Sequence, residues 1–397
     1  MPVIGVRGTG EFSTDFRPTN YRELFTMLEP NGDAPLNALM AMTNSQSTDD
    51  PKYNNFRDEL PARTVQIDKA AGYAAGITTL QLTTGDDVEF IVEGTVLVNA
   101  TSGEVMVATE DADTANDTIE VTRQIGGTSL AIVDDDELFV AGHAASEGGS
   151  APSAVSFDPT VSYNYCQIFK TSYQVTETLK NTYVRTGAKE DEYATKALKM
   201  HMQDIERSMF FGQRHILNGS TSNPTRFTGG LVNTLTNVVD LSSANTGINA
   251  DADVMTEDEF DRYLIENVFA WGSKQKIAFV GAKVAGHMQA IGKSRWAPTM
   301  ISDTYGIKFT QYDTFAGELL VHLHPQFRQI PGMDDAAIII DVPNIKFRHL
   351  QNRDTHLLEN VQNNDADTAK HQYLSECGLE LLQDRVHTYL KNWDGIS

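Results

Sequence analysis

GAKEDEYATKALKMHMQDIERSMFFGQ, residues 187–213, carries the most persuasive helical pattern of the chain. Ala194, Leu198, Ile205 and Met209 recur close to a 3.6-residue period, with Ala197, His201 and Phe210 flanking that face. A helix of about 27 residues at 1.5 Å each extends roughly 40 Å, which predicts a spine for other elements to pack on. Gly212, the turn-rich Asn218-Gly219-Ser220-Thr221 and Pro224 end it.

Upstream of the spine, Val161 to Val175 reads as a strand region with Tyr163, Tyr165, Phe169 and Tyr173 at mostly even spacing, so that the rings share one face. Gly142 to Ser156, centred on Gly148-Gly149-Ser150, has linker composition. Before it, short β-branched runs separated by Gly, Asp and Asn turns predict a small barrel or sandwich. These runs are Thr64–Asp68, Ile77–Leu82, Glu89–Val92, Val96–Val98, Glu104–Val107, Thr118–Thr122 and Glu137–Val140. Residues 1–65 read as an extended arm with a short helix at Tyr21–Leu28 and little core of its own. Ordering such an arm costs about 1–2 kcal/mol of backbone entropy per residue, which binding along a neighbouring chain would offset.

Downstream, Thr256 and Glu259 fit a capping box ahead of the apolar face Phe260, Tyr263, Leu264, Val268 and Phe269. A strand at Lys276–Val280 and a helix at Ala282–Ile291 follow, then strands at Lys308–Gln311, Gly317–Leu323 and Ala336–Val342. This order predicts an α+β unit with its own core. The tail alternates near Ile345-Lys346-Phe347 and ends in an apolar segment, Tyr373 to Val386, read as a strand returning to a sheet.

The chain has 54 acidic and 31 basic residues, a formal net charge of -23. Such a chain repels polyanions, which disfavours an enzyme that holds nucleic acid by its phosphates. Residues 81–160 contain a single basic side chain, Arg123, so this region is expected to be a solvated acidic module. Cys166 and Cys377 suggest no disulfide framework, and no apolar run is long enough to span a membrane. Soluble folding in a reducing cytoplasm is the expectation.

Signatures of chemistry are sparse. His322 and His324 share a strand face at spacing two and could ligate a metal, yet no third ligand stands in a recognisable motif. Asp111-Ala112-Asp113 opens like a calcium loop, but Ala115 and Asn116 occupy ligand and glycine positions. Asp134-Asp135-Asp136-Glu137 reads as a solvated turn with weak divalent-ion binding as the alternative. Phosphate loops, nucleophile elbows and zinc-protease helices are absent from the sequence, so neither an enzyme nor a cofactor is expected. Arg57, Arg63 and Lys69 flank the β module and Arg348 and Arg353 lie in the tail; against an acidic body they are candidate intersubunit contacts.

The order of elements resembles the major capsid proteins of tailed bacteriophages, with the HK97-like fold, in the branch whose extended loop carries an inserted β module. Local resemblances are Gly103-Glu104-Val105-Met106-Val107, Thr122-Arg123-Gln124-Ile125-Gly126-Gly127-Thr128, Asp341-Val342-Pro343-Asn344-Ile345 and Tyr373-Leu374-Ser375-Glu376-Cys377-Gly378-Leu379-Glu380. The resemblance implies an arm and start of the extended loop at 1–65, the β-rich insertion at 66–142, and the loop's end with a peripheral domain at 143–230. An axial α+β domain at 231–340 and a C-terminal return to the peripheral domain at 341–397 complete it. It further implies pentamers and hexamers in an icosahedral shell around double-stranded DNA, built in the host cytoplasm and found in the virion. Portal protein, a separate scaffolding protein and a decoration protein are the implied partners. The sequence otherwise leaves a secreted or surface-bound carbohydrate-binding protein with the β module as its binding part, or a metal hydrolase centred on His322 and His324, as readings of a different class.

Overall fold

The computed structural model describes residues 34–36, 45–59, 63–83, 88–182, 189–220, 223–242, 255–295, 299–304 and 307–393, without side chains at 291–304 and 307–309. The expected arm up to residue 33, with its helix at Tyr21–Leu28, lies outside the described residues. The chain forms two compact units, one of residues 1–55 and 162–397, the other of residues 56–161.

In the 56–161 unit six antiparallel strands follow the spatial order Thr64–Gln66, Glu137–His143, Thr95–Asn99, Val105–Ala108, Thr118–Thr122, Thr79–Gln81. The first and last strands then meet, because Ile67 bridges Leu82, Asp68 N–H donates to the Gln81 carbonyl (3.1 Å) and Thr83 N–H to that of Gln66 (2.9 Å). Of the two architectures the sequence leaves open, the structure is thus a barrel. Strict alternation fills it: Val65, Ile67, Leu80, Leu82, Leu97, Met106, Ile119, Val121 and Leu138 point inward and are at most 2% exposed. Burying each such side chain contributes about 1.5–3 kcal/mol before entropy is counted.

One expected strand of this unit is absent. Glu89–Val92 forms a turn in which Ile91 N–H donates to the Val88 carbonyl (3.0 Å), and Phe90, Ile91 and Val92 are buried in succession. Three consecutive buried side chains cannot belong to a two-faced strand, and here Phe90 and Ile91 join the barrel's core. The turn closes at Gly94, whose φ of 87° and a virtual Cβ 2.7 Å from the Ala144 carbonyl leave room for no side chain.

The larger unit contains two principal sheets. In the first, the fourteen-residue strand Thr368–Leu381 pairs antiparallel with Gln167–Thr176 over ten residues, from Thr368 opposite Thr176 to Cys377 opposite Gln167. Ile345–Leu350 pairs with its other end, and Ser45–Thr48 adds in parallel beyond that. The spine helix, Lys189–Phe211, packs on this sheet through Ile205, Met209 and Phe210. Its buried positions Ala197, His201, Ile205 and Met209 recur every four residues.

The second sheet has seven strands, in the order Val238–Asp240, Thr388–Lys391, Ala337–Ile340, Gln275–Val280, Glu318–Leu323, Ile307–Asp313, Thr299–Thr304. Both its faces are covered. Ile277, Phe279, Ile338 and Ile340 join the core of the spine helix, whereas Ala278, Val280, Ala337 and Ile339 face Phe260, Tyr263, Val268 and Trp393. The Thr256 and Glu259 capping box is present, with the Thr256 amide donating to Glu259 Oε2 at 2.8 Å. Residues on both sides of position 230 therefore share one core cluster. The tail likewise serves both sheets: Thr368–Leu381 ends in the first, and the four-residue strand Thr388–Lys391 enters the second.

Candidate functional site

Ionisable side chains buried inside the sheets dominate the chemistry of this chain. In the barrel Arg123, the only basic residue of the acidic stretch, is not on the surface at all. Its Nε donates to Glu104 Oε1 (3.0 Å) and its Nη2 to Oε2 (2.5 Å), with both side chains at most 3% exposed. The same guanidinium donates to the carbonyls of Ala74 and Leu130, and the Leu130 amide returns a bond to Glu104 Oε2 (3.0 Å). Burial alone would raise the Glu104 pKa, but the hydrogen bonds from Arg123 and Leu130 outweigh it and hold the carboxyl low. Two of the quoted motifs thus meet as one buried ion pair.

The tail motif does the same in the first sheet. Arg348 donates to both oxygens of Glu380 (2.6 and 3.2 Å), and Arg353 Nε donates to Glu376 (2.5 Å). Glu376 and Glu380 are 4% and 3% exposed, so each needs its arginine. Between them Gly378 leaves space for the Tyr53 hydroxyl, which donates to the Leu379 carbonyl at 2.9 Å; a Cβ at Gly378 would lie 2.6 Å from that hydroxyl. The other candidate contacts sit in the barrel unit. Arg63 and Lys69 are exposed, Arg57 is half-buried, and the Lys69 amide is capped by Asp134 (2.7 Å).

The two histidines do not form a metal pair. The strand stops at Leu323, and His324 instead begins the short helix Pro325–Gln329. Its Nδ1 accepts from the Gln326 amide (3.3 Å), which leaves Nε2–H to donate to Glu206 Oε1 (2.9 Å), while the ring stacks on Phe327 at 4.3 Å. Glu206 also accepts the Leu36 amide (2.8 Å) and is wholly buried on the spine helix. Sequence reading missed Glu206, although its place between Ile205 and Met209 on the apolar stripe was a signal. Among the described residues no group of three or more His, Cys, Asp or Glu side chains is arranged to hold a metal ion. Asp113 serves its own turn, accepting the Ala115 amide (3.0 Å) and the Asn116 side chain (2.7 Å). Asp136 is buried against Asn99 (3.0 Å).

The Asp341 motif anchors a further buried cluster. Asp341 accepts Ser273 and Asn344, and its amide donates to His387 Nδ1 (3.0 Å). Nearby, the fully buried Lys276 donates to the carbonyls of Val268 (2.6 Å), Trp271 (2.8 Å) and Val386 (2.6 Å), tying the Val268–Trp271 connection and the loop at Val386 to the sheet. Burial pushes its pKa down to about 8 against the pull of Asp341, and pushes His387 down to about 4. Burial also pushes the Cys166 thiol up to about 12 and raises that of Cys377, so neither is a nucleophile at neutral pH. Two open cavities accompany these elements: one of about 520 Å³ beside Lys52, Tyr53 and Arg348, the other of about 400 Å³ beside Asn237, Trp271 and Arg385.

Every buried charge described so far is satisfied by a partner of the same chain and none is aimed at a substrate. The comparisons agree with that character. The family model of the SU10 major capsid protein matches residues 8–394. The major capsid protein of Pseudomonas phage PaMx41 is 26% identical over 333 residues, which is 82% of this chain and 77% of that one. Among solved structures, the capsid of Myoviridae phage XM1 aligns over 97% of this chain and 100% of its own with a TM-score of 0.45 and 9% identity. The capsid of a native GTA particle, solved with C5 symmetry, aligns over 94% of both chains with a TM-score of 0.44 and 10% identity. The chain belongs to the SU10 major capsid protein family and is thus a structural protein of the phage virion.

Proposed function

We propose that the two units divide the work of the shell. The spine helix with the fourteen-residue strand acts as the peripheral wall, the seven-stranded sheet with its helices as the axial part, and the barrel as an insertion in the extended loop. The observation that supports this most directly is the separation of residues 56–161 as a unit with its own core, between two stretches that fold together. Pentamers and hexamers of the chain enclose double-stranded DNA, and assembly takes place in the host cytoplasm with portal and separate scaffolding proteins. The unit 56–161 contains 19 acidic and four basic residues, one of the four being the buried Arg123, so it suits a surface that does not trap DNA or one that receives a decoration protein.

Arg57, Arg63 and Lys69 then serve as contacts to neighbouring copies. Arg348 and Arg353 hold their own glutamates first, and the Arg353 side chain, 40% exposed, keeps one edge for a neighbour. The test is size-exclusion chromatography with negative-stain microscopy on the full chain and on a chain lacking residues 1–60. Shells, tubes or five- and six-membered rings that vanish on truncation support arm-mediated assembly; particles indifferent to it would remove the arm from the account.

A further inference from the structure

Phe315 is the most exposed apolar side chain described, at 103% of its reference area, on the tight turn between Ile307–Asp313 and Glu318–Leu323. The turn is rigidly built: Thr314 N–H donates to the Gly317 carbonyl (2.9 Å), and the Glu318 amide donates to the Lys274 carbonyl (2.8 Å). Gly317 packs so closely on Phe269 and Lys274 that a Cβ there would lie 2.4 Å from the Lys274 carbonyl. A fixed loop that holds a phenylalanine wholly in water, at a hydration cost nothing among the described residues relieves, is a knob awaiting a socket.

The socket lies at the same end of the same sheet. Gln275–Val280 runs parallel to Glu318–Leu323, and Val238–Asp240 runs parallel to Thr388–Lys391. Ala337–Ile340 is antiparallel to both Gln275–Val280 and Thr388–Lys391, so all four of those strands begin at one edge of the sheet. The segments leading into three of them line the cavity of about 400 Å³: Thr236 and Asn237, Arg385, and Trp271, with Glu266 and Asn267 closing it. Trp271 presents an indole that is 58% exposed. The volume exceeds the roughly 150 Å³ that accommodates a benzene ring.

Phe315 does not occupy the cavity of its own chain: it is 103% exposed and is not among the residues that line the cavity, and its turn is tied to Lys274 by the Glu318 amide. Knob and socket are different surfaces of one chain, which is the condition for a heterologous contact that closes into a ring when its rotation allows. Charge favours the match: the carboxylates of Asp313 and Glu318 flank the knob, Arg385 stands in the cavity, and the Glu266 carboxylate there is turned to Arg262 (3.8 Å).

We propose that Phe315 of each copy seats against Trp271 in the cavity of the next, joining the seven-stranded sheets head to tail around the capsomer. The proposal rests on the shell reading and adds the residues that close each ring. Aromatic and arginine side chains in such pockets are the usual anchors of protein contacts.

The test is directional. Full-length chains carrying Phe315→Cys are assembled together with chains carrying Trp271→Cys and treated with diamide, the oxidant that takes the two thiol hydrogens as the disulfide forms. Cross-linked dimers are expected from the mixture and not from either chain alone, with a chain bearing both substitutions giving ladders that stop at five or six. The buried Cys166 and Cys377 supply the background control in unsubstituted chain. Phe315→Asp is expected to lower the yield of rings and shells at least tenfold while leaving the thermal unfolding midpoint in place, because the side chain is fully exposed in the monomer. Shells that form normally with Phe315→Asp, or cross-linking of Phe315→Cys chains with one another, would overturn the contact and leave the shell reading standing. An unsubstituted chain that stays monomeric at every concentration would overturn both.

Discussion

Replacing Arg123 by methionine tests whether the barrel is held by its buried Glu104–Arg123 ion pair. The substitution keeps the volume of the stem and removes the guanidinium, so Glu104, 2% exposed at its side chain, retains the Leu130 amide but loses both charged bonds. Breaking one side of a buried pair costs about 3–5 kcal/mol. A domain of this size has about 5–15 kcal/mol in all, so the loss removes roughly a fifth or more of its stability and lowers its midpoint by about 12–40 °C. Hydrogen exchange read by mass spectrometry on the full chain is the assay. Peptides within residues 64–143 should lose protection, and peptides from the spine helix should not. The double substitution Glu104→Leu with Arg123→Met should recover all but about 1–3 kcal/mol, the remainder being the Ala74 and Leu130 backbone groups left unpaired. Glu104 has its pKa lowered by folding, so the pair's contribution is full above the unfolded carboxylate value near 4.3 and fades as pH falls through the lowered folded value. Protection in Arg123→Met within about 0.5 kcal/mol of the parent, or a double variant as weak as the single one, would refute the reasoning.

Three further outcomes follow from the larger unit. His387, depressed to about 4, binds its proton in the unfolded chain first, so stability should fall as pH drops from about 6.5 towards 4, by roughly 3 kcal/mol in total; His387→Asn should flatten that part of a melting-temperature profile. Lys276, depressed to about 8, has the same sign at higher pH: stability from this group rises between about 8 and 10.5, and Lys276→Met should abolish the rise in denaturant titrations. Gly378→Ala places a methyl 2.5 Å from the Tyr165 carbonyl and 2.6 Å from the Tyr53 hydroxyl, and should cost about 1–3 kcal/mol by calorimetry, with Tyr53→Phe restoring part of it.

The elements legible in the sequence are those whose signal is local. Lys189–Phe211 announces itself because one stripe repeats every four residues, and Thr256 with Glu259 because a cap is a three-residue relation. Hairpin-length spacing of β-branched runs likewise revealed most of the barrel. Partners brought together from afar were not legible. Nothing in the spacing of Glu104 and Arg123 distinguishes a buried pair from two solvated charges, and Arg348 and Arg353 read as surface groups until Glu380 and Glu376 come beside them. Lys276 opens an apolar strand, where a lysine suggests a solvent edge; the three carbonyls that receive it lie 5, 8 and 110 residues away. Glu89–Val92 misled for a different reason, since a run of apolar residues has no period of its own and fits a buried turn as well as a strand. The closing strand Thr388–Lys391 is only four residues long, and its place comes from pairing with Ala337–Ile340 on one side and Val238–Asp240 on the other.

The bridge between Ile67 and Leu82 has a consequence for crowding. In the arrangement proposed above, every copy brings its own β-rich unit to the same surface, close to those of its neighbours. An open six-stranded sheet would offer two rows of unpaired amides and carbonyls to its neighbours, and a lattice of such sheets would invite fibrous growth across the particle. Joining the first strand to the last leaves no such rows, and the acidic residues concentrated in this unit add mutual repulsion. In that arrangement the unit can be displayed in many copies on one particle and still remain a set of separate bodies.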